Sequence, residues 1–211
     1  MALTLPLPLI HEGNRGRAIL AGYLIFCTFY LSASSATLAS AQLLEPSWID
    51  RMIPFLPASI WVYLSQFGLL FYALWATPDN LLRTRTYYAA LLATVLACAI
   101  FLLIPFKVAR QPLQGEGLTA LAWQGLYLSD TPANCFPSLH VALATLAASA
   151  LWRQGRQWRW LAPLWAGAIA LSTLTTKQHY VIDLVAGLAL SPLAFALAKA
   201  VLLRPRYACA R

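Results

Sequence analysis

Of the 211 residues, 60% are hydrophobic and only 10% are charged, whereas an ordinary soluble domain carries roughly a quarter of its residues as charges. A water-soluble fold of this size has no way to hide so much apolar surface, so the soluble classes are excluded. The net charge of +8 arises from short basic clusters between apolar runs, the pattern of membrane-orienting charge and not of a nucleic-acid-binding face.

Taken in chain order, apolar runs fall near residues 18–41, 57–76, 86–106, 137–152, 160–176 and 179–203. A bilayer-spanning helix needs about 20 apolar residues, so the expected fold is all-α: a polytopic membrane protein with a bundle of about six transmembrane helices. No linker, low-complexity tract or repeat divides the chain, and one domain is expected over residues 1–211. The first run follows Arg15 and Arg17 and ends on Ala39, Ser40 and Ala41, features shared with a signal peptide; its length favours a retained span. The fourth and fifth runs are short and polar at one end, which predicts that those ends reach a cavity shielded by neighbouring helices. Between the third and fourth runs, Leu118, Leu121, Trp123 and Tyr127 predict a short interfacial helix, which either guides a lipid tail toward His179, with Trp123 taking part, or is an ordinary aromatic belt. Cys27, Cys98, Cys135 and Cys209 have no paired spacing of a zinc or redox motif.

Short cytoplasmic loops carry the excess of Lys and Arg. Arg15, Arg17, Arg83, Arg85, Arg153, Arg156, Arg159, Lys199, Arg204, Arg206 and Arg211 fall on one predicted side, eleven of the fifteen basic residues. Arg51, Lys107, Arg110 and Lys177 fall on the other, with five of the seven acids: Glu45, Asp50, Glu116, Asp130 and Asp183. Both termini are therefore expected in the cytoplasm, in a plasma or inner membrane.

The chemically suggestive residues gather on the opposite side. Ionisable groups within apolar spans are costly and point to function. His179 and Asp183 are four apart, on one helix face, where the carboxylate is expected to accept a hydrogen bond from one imidazole nitrogen and leave the other as a nucleophile. Pro137, Ser138, Leu139 and His140 read as a helix opening with proline in the first turn. Free amides there favour an anion, the Ser138 hydroxyl adds a donor, and His140 is placed to protonate a leaving oxygen. Lys107 and Arg110 are expected to hold the remaining phosphate oxygens. The acids are too few and scattered for a two-metal carboxylate site. The residues thus predict phosphate-ester chemistry by a side-chain nucleophile, with no metal and no cofactor. Taken singly, each has a bland role, as a packing histidine or an interfacial anchor; their convergence on one face is what points to a site.

These motifs resemble those of the type 2 phosphatidic acid phosphatase superfamily over roughly residues 57–200. The second motif of that family, proline, serine, usually glycine, then histidine, is matched by Pro137, Ser138 and His140, with Leu139 in the glycine position. The third ends in histidine, three residues, aspartate, matched by His179 and Asp183 and followed by Ala186 and Gly187. The resemblance implies six helices, a metal-independent site at the non-cytoplasmic face, a phosphohistidine at His179, His140 as acid and base, and Asp183 orienting the nucleophile. The first motif is looser, Lys107 followed by Arg110, Gln111 and Pro112. The serine and arginine that open the third motif are replaced by Ser172 and Thr173, and Lys177 is the candidate substitute for the lost arginine. Leu139 and the run Thr175, Thr176, Lys177, Gln178, His179, Tyr180 resemble the branch that includes inositol phosphorylceramide synthases.

The expected partners are the bilayer and a lipid phosphate or phosphodiester, with a lipid phosphate phosphatase favoured over a head-group phosphotransferase. A non-enzymatic carrier using buried His and Asp is the competing class.

Overall fold

The structure, a computed structural model, describes residues 7–36, 40–112 and 116–202. Ala39, Arg204, Arg206, Cys209 and Arg211 lie outside the described residues. The chain is all-α, with eight α-helices among the described residues and one pair of two-residue strands. Six helices make the bundle: α1 (Arg15–Ser35), α3 (Ile60–Ala76), α4 (Asn80–Leu103), α6 (Leu139–Leu151), α7 (Trp158–Thr175) and α8 (Val181–Leu202). Two short ones, α2 (Trp48–Met52) and α5 (Gly117–Ser129), join α1 to α3 and α4 to α6. Connectivity therefore brings the C-terminal ends of α1, α4 and α7 to the same end of the bundle as the N-terminal ends of α3, α6 and α8.

By length and composition four helical segments qualify as membrane spans: α1, Pro57–Ala76, α4 and α8. α6 is different. Its 13 residues rise only about 20 Å, short of a hydrocarbon core about 30 Å thick. Ten of the 13 are buried, because α6 is packed among α3, α4, α7 and α8 and its alanines let those helices approach closely. α8 comes close at Gly187, where a Cβ would collide with the Ser138 carbonyl and lie 3.1 Å from Val141 Cβ. A helix packed against four others need not match the bilayer.

Several helix boundaries differ from the apolar runs for local reasons. α4 starts at Asn80, because the Asp79 carboxylate caps it by accepting from the amides of Leu81 and Leu82 at 2.8 and 3.1 Å. Arg83 and Arg85 are thus helical, not loop residues. The Arg83 guanidinium is buried and donates to the carbonyls of Ile10 and Thr77 and to Asn80 Oδ1. α1 ends at Ser35, with Ala36 extended, so the helix is shorter than its apolar run.

At the end opposite Arg83, three extended segments are laid side by side. β1 (Gln42–Leu43) pairs in parallel with β2 (Phe106–Lys107), and Phe106 bridges in turn to Asn134. This ribbon fixes the chain just before Cys135. α5 packs on α3, with Trp123 buried against Ile60 and Tyr63 and its indole donating to the Pro57 carbonyl at 3.0 Å. Trp123 is therefore an anchor between helices and not the exposed guide for a lipid tail expected from the sequence. Leu118 and Leu121 are the exposed side of α5.

Candidate active site

The site is assembled where α6 and α8 begin. Ser138 caps α6, its Oγ accepting from the Val141 amide at 3.4 Å, and its own amide donates to the Asp183 carbonyl at 3.0 Å. The two helix starts are thereby joined through backbone. The Phe136–Pro137 peptide that precedes Ser138 is cis.

His179 is buried, in the turn before α8. Its Nδ1 is 2.7 Å from the Cys135 carbonyl oxygen and 3.6 Å from Asp183 Oδ2. A carbonyl only accepts, so Nδ1 carries the proton and Nε2 bears the lone pair. The sequence pattern predicts Asp183 as the hydrogen-bond partner; the geometry gives that part to the Cys135 backbone and leaves the carboxylate at ion-pair distance. Asp183 itself is fully buried. Its Oδ2 accepts from the Tyr180 amide at 2.7 Å, bonding the residue before α8 from the third helical position as in a capping box. Among the described residues its Oδ1 has no partner. A carboxylate there is stabilised by the positive end of α8.

His140, one residue into α6, faces a different environment. Its ring stacks on Tyr63 at 4.0 Å between centroids and meets the edge of Phe67 at 5.9 Å. Its Nε2 is buried, with no hydrogen-bond partner among the described residues. The two imidazoles are 6.2 Å apart between centroids. His140, His179, Ser138 and Asp183 thus come together, from two segments 40 residues apart.

The basic residues expected to bind phosphate are placed otherwise. Lys177, at φ +54°, donates its ammonium to the carbonyls of Asp50, at 2.6 Å, and Ile53. Burial lowers its pKa, with Asp50 opposing. Arg110 donates to the carbonyls of Tyr127, at 3.3 Å, and Asp130, and its guanidinium lies 4.4 Å from the centre of the Tyr127 ring. Lys107 is exposed on β2. None of the three cations reaches the histidines through a hydrogen bond among the described residues; Lys177 and Arg110 instead bind the C-terminal ends of α2 and α5.

Three residues near the site lie outside the motifs. Asp50 is buried; its Oδ1 accepts from the Val181 amide at 2.8 Å, capping α8 from α2, while its Oδ2 takes the Ser47 amide and hydroxyl at 2.9 and 2.6 Å. With Lys177, it clamps both ends of the turn that carries His179. Asp130 accepts from the Tyr30 hydroxyl at 2.6 Å, and burial pushes its carboxyl above the usual range against that bond and the His179 and Arg110 charges. Cys135 contributes its backbone; burial and the nearby Asp183 charge push its thiol up, and the thiol donates to the Phe106 carbonyl at 2.9 Å, which argues against a thiolate nucleophile. A signal for Asp50 existed in the sequence, Ser47 followed three residues later by an acid, but it marks α2 and not the contact with α8.

Fold and site together define an all-helical membrane protein with a buried histidine, a half-buried second histidine and a buried carboxylate at one end of its bundle. A profile of the PAP2 superfamily matches residues 37–197, well over half of the chain. The protein belongs to the PAP2 superfamily, that of type 2 phosphatidic acid phosphatases, which supports a function of the phosphatase or phosphotransferase type. No curated protein and no solved structure matches the chain.

Proposed function

We propose that the protein cleaves or transfers a lipid phosphate ester through a phosphohistidine at His179, without a metal, and that hydrolysis is its main reaction. The observation that carries this reading is the fixed tautomer of His179: Nδ1–H is committed to the Cys135 carbonyl at 2.7 Å, so Nε2 is the nucleophilic nitrogen. It attacks phosphorus, the ester P–O bond breaks, and His140 in its protonated form gives a proton to the leaving oxygen. The imidazole ring of His179 becomes cationic as the P–N bond forms, and Asp183 at 3.6 Å stabilises that charge. In the second half, His140 takes a proton from water or an alcohol, whose oxygen attacks phosphorus as the P–N electron pair returns to Nε2.

Phosphate oxygens are held by the amides at the α6 start and by the Ser138 side chain. Of these three cations Lys107 is the one with no side-chain hydrogen bond among the described residues, and it approaches from the exposed rim; Arg110 and Lys177 act by holding the walls. The many basic residues at the far end of the bundle favour that end as cytoplasmic and the site as facing the other side.

The test is phosphate release by the detergent-purified protein from phosphatidic acid and a polyprenyl pyrophosphate, with chelator present. Release by the intact protein that vanishes in His179→Ala is expected. No release, with head-group transfer from a phosphodiester lipid to a lipid alcohol, would replace the phosphatase by the transferase; neither activity would overturn the reading.

A further inference from the structure

One half-buried acid at the site is unused by that mechanism. Asp130 follows α5 and lines a half-open cavity of about 500 Å³ between α1, α3 and α5, which also reaches His140, Tyr63, Phe67 and Leu126. One carboxylate oxygen is held by the Tyr30 hydroxyl at 2.6 Å and the Thr131 amide at 2.8 Å. The other has no hydrogen bond among the described residues. Apart from Asp130, His140 and a few hydroxyls, the cavity walls are apolar, and a second apolar cavity of about 460 Å³ adjoins it across Tyr23, Phe26 and Phe67. Volumes of this order suit a ligand of drug or lipid-tail size.

A carboxylate beside a phosphate site repels the phosphate. Its place is thus on the side of the partner that carries hydrogen-bond donors and no negative charge, and the walls require that partner to be amphiphilic. We propose that Asp130 binds the hydroxyl of a lipid alcohol lodged between α1, α3 and α5, and that this alcohol competes with water as acceptor of the phosphoryl group. The inference rests on the phosphohistidine reading. In the step it adds, the alcohol oxygen attacks phosphorus on His179, its proton passes to His140, the P–N bond breaks, and the product is a phosphorylated lipid alcohol with neutral His179. The hydrogen bond to Asp130 holds the hydroxyl within the cavity that His140 also lines.

The experiment partitions a labelled enzyme. The full chain in detergent is charged with phosphorus-labelled phosphatidic acid, and transfer to dodecanol is measured beside phosphate release to water, for the natural protein, Asp130→Asn and Tyr30→Phe. Asparagine still accepts from Tyr30 but binds a hydroxyl more weakly, and a hydrogen bond to a charged group is worth about tenfold or more. Asp130→Asn is expected to cut the ratio of transfer to hydrolysis by about tenfold, through a higher KM for dodecanol; Tyr30→Phe, which frees the carboxylate from its orienting bond, shifts it the same way by less. An unchanged ratio, equal loss of both reactions, or no transfer by the natural protein would overturn the inference. Labelling of His179 is read in the same samples: its absence in the natural protein would break the underlying phosphohistidine reading, whereas label with an unchanged ratio breaks only the assignment of Asp130.

Discussion

The two histidines are held by opposite kinds of wall. Around His179 the contacts are polar and come largely from backbone: the Cys135 carbonyl, the Tyr180 amide on Asp183, and the Asp50 and Lys177 clamp on the turn. Around His140 they are aromatic, with Tyr63 and Phe67 packed on the ring and, among the described residues, no bond to its Nε2. A nucleophile must keep one tautomer and one orientation, which hydrogen bonds enforce. A group that both gives and takes a proton gains from a partner-free nitrogen, and stacking holds its plane while leaving that nitrogen open. The polar wall is thus suited to phosphate and the aromatic wall to the lipid.

The sharpest way to break this comparison is at the aromatic wall. His140→Ala removes the acid and base but not the nucleophile, and turnover is expected to fall about a hundredfold to ten-thousandfold, with a leaving group of low pKa, such as p-nitrophenol, losing less than an alkyl alcohol in the same assay. An equal loss on both leaving groups contradicts the assignment. At the polar wall, Asp50→Ala strips the cap from α8 and leaves the Val181 amide unpaired, a cost of about 1–3 kcal/mol. A lower thermal midpoint and a drop of about tenfold or more in kcat are expected, since a small misplacement of a positioned group is costly; full activity would mean that the clamp is dispensable. The smallest effect is at Trp123. Because it anchors α5 to α3, Trp123→Phe is expected to reduce activity a few-fold, about equally on long-chain and short soluble esters; a selective loss on the long chain would restore it to the lipid path.

How much of this was legible in the sequence depends on the kind of contact. The helices were, because apolar runs near 20 residues report the bilayer directly, and the shortness and polar start of α6 foretold a protected position. The four-residue spacing of His179 and Asp183 placed them together as expected. The Cys135 carbonyl was not legible, since any residue supplies a carbonyl and only the path of the chain after β2 and Asn134 brings this one to Nδ1. Nor was the Asp50 bond to Val181, made across 131 residues of chain. Lys177 and Arg110 carry the charge that suits phosphate, but position decides their use: each is turned toward helix-end carbonyls that lack intrahelical partners.

The most direct measurement is covalent. The protein is incubated with phosphorus-labelled lipid phosphate, quenched in alkali, which preserves phosphohistidine, and the labelled peptide is mapped in the natural protein and in His140→Ala. Label on His179, absent in His179→Ala and accumulating in His140→Ala if loss of the base slows the second half more than the first, is the predicted result. Turnover with no labelled histidine, or with label on another residue, would contradict the account.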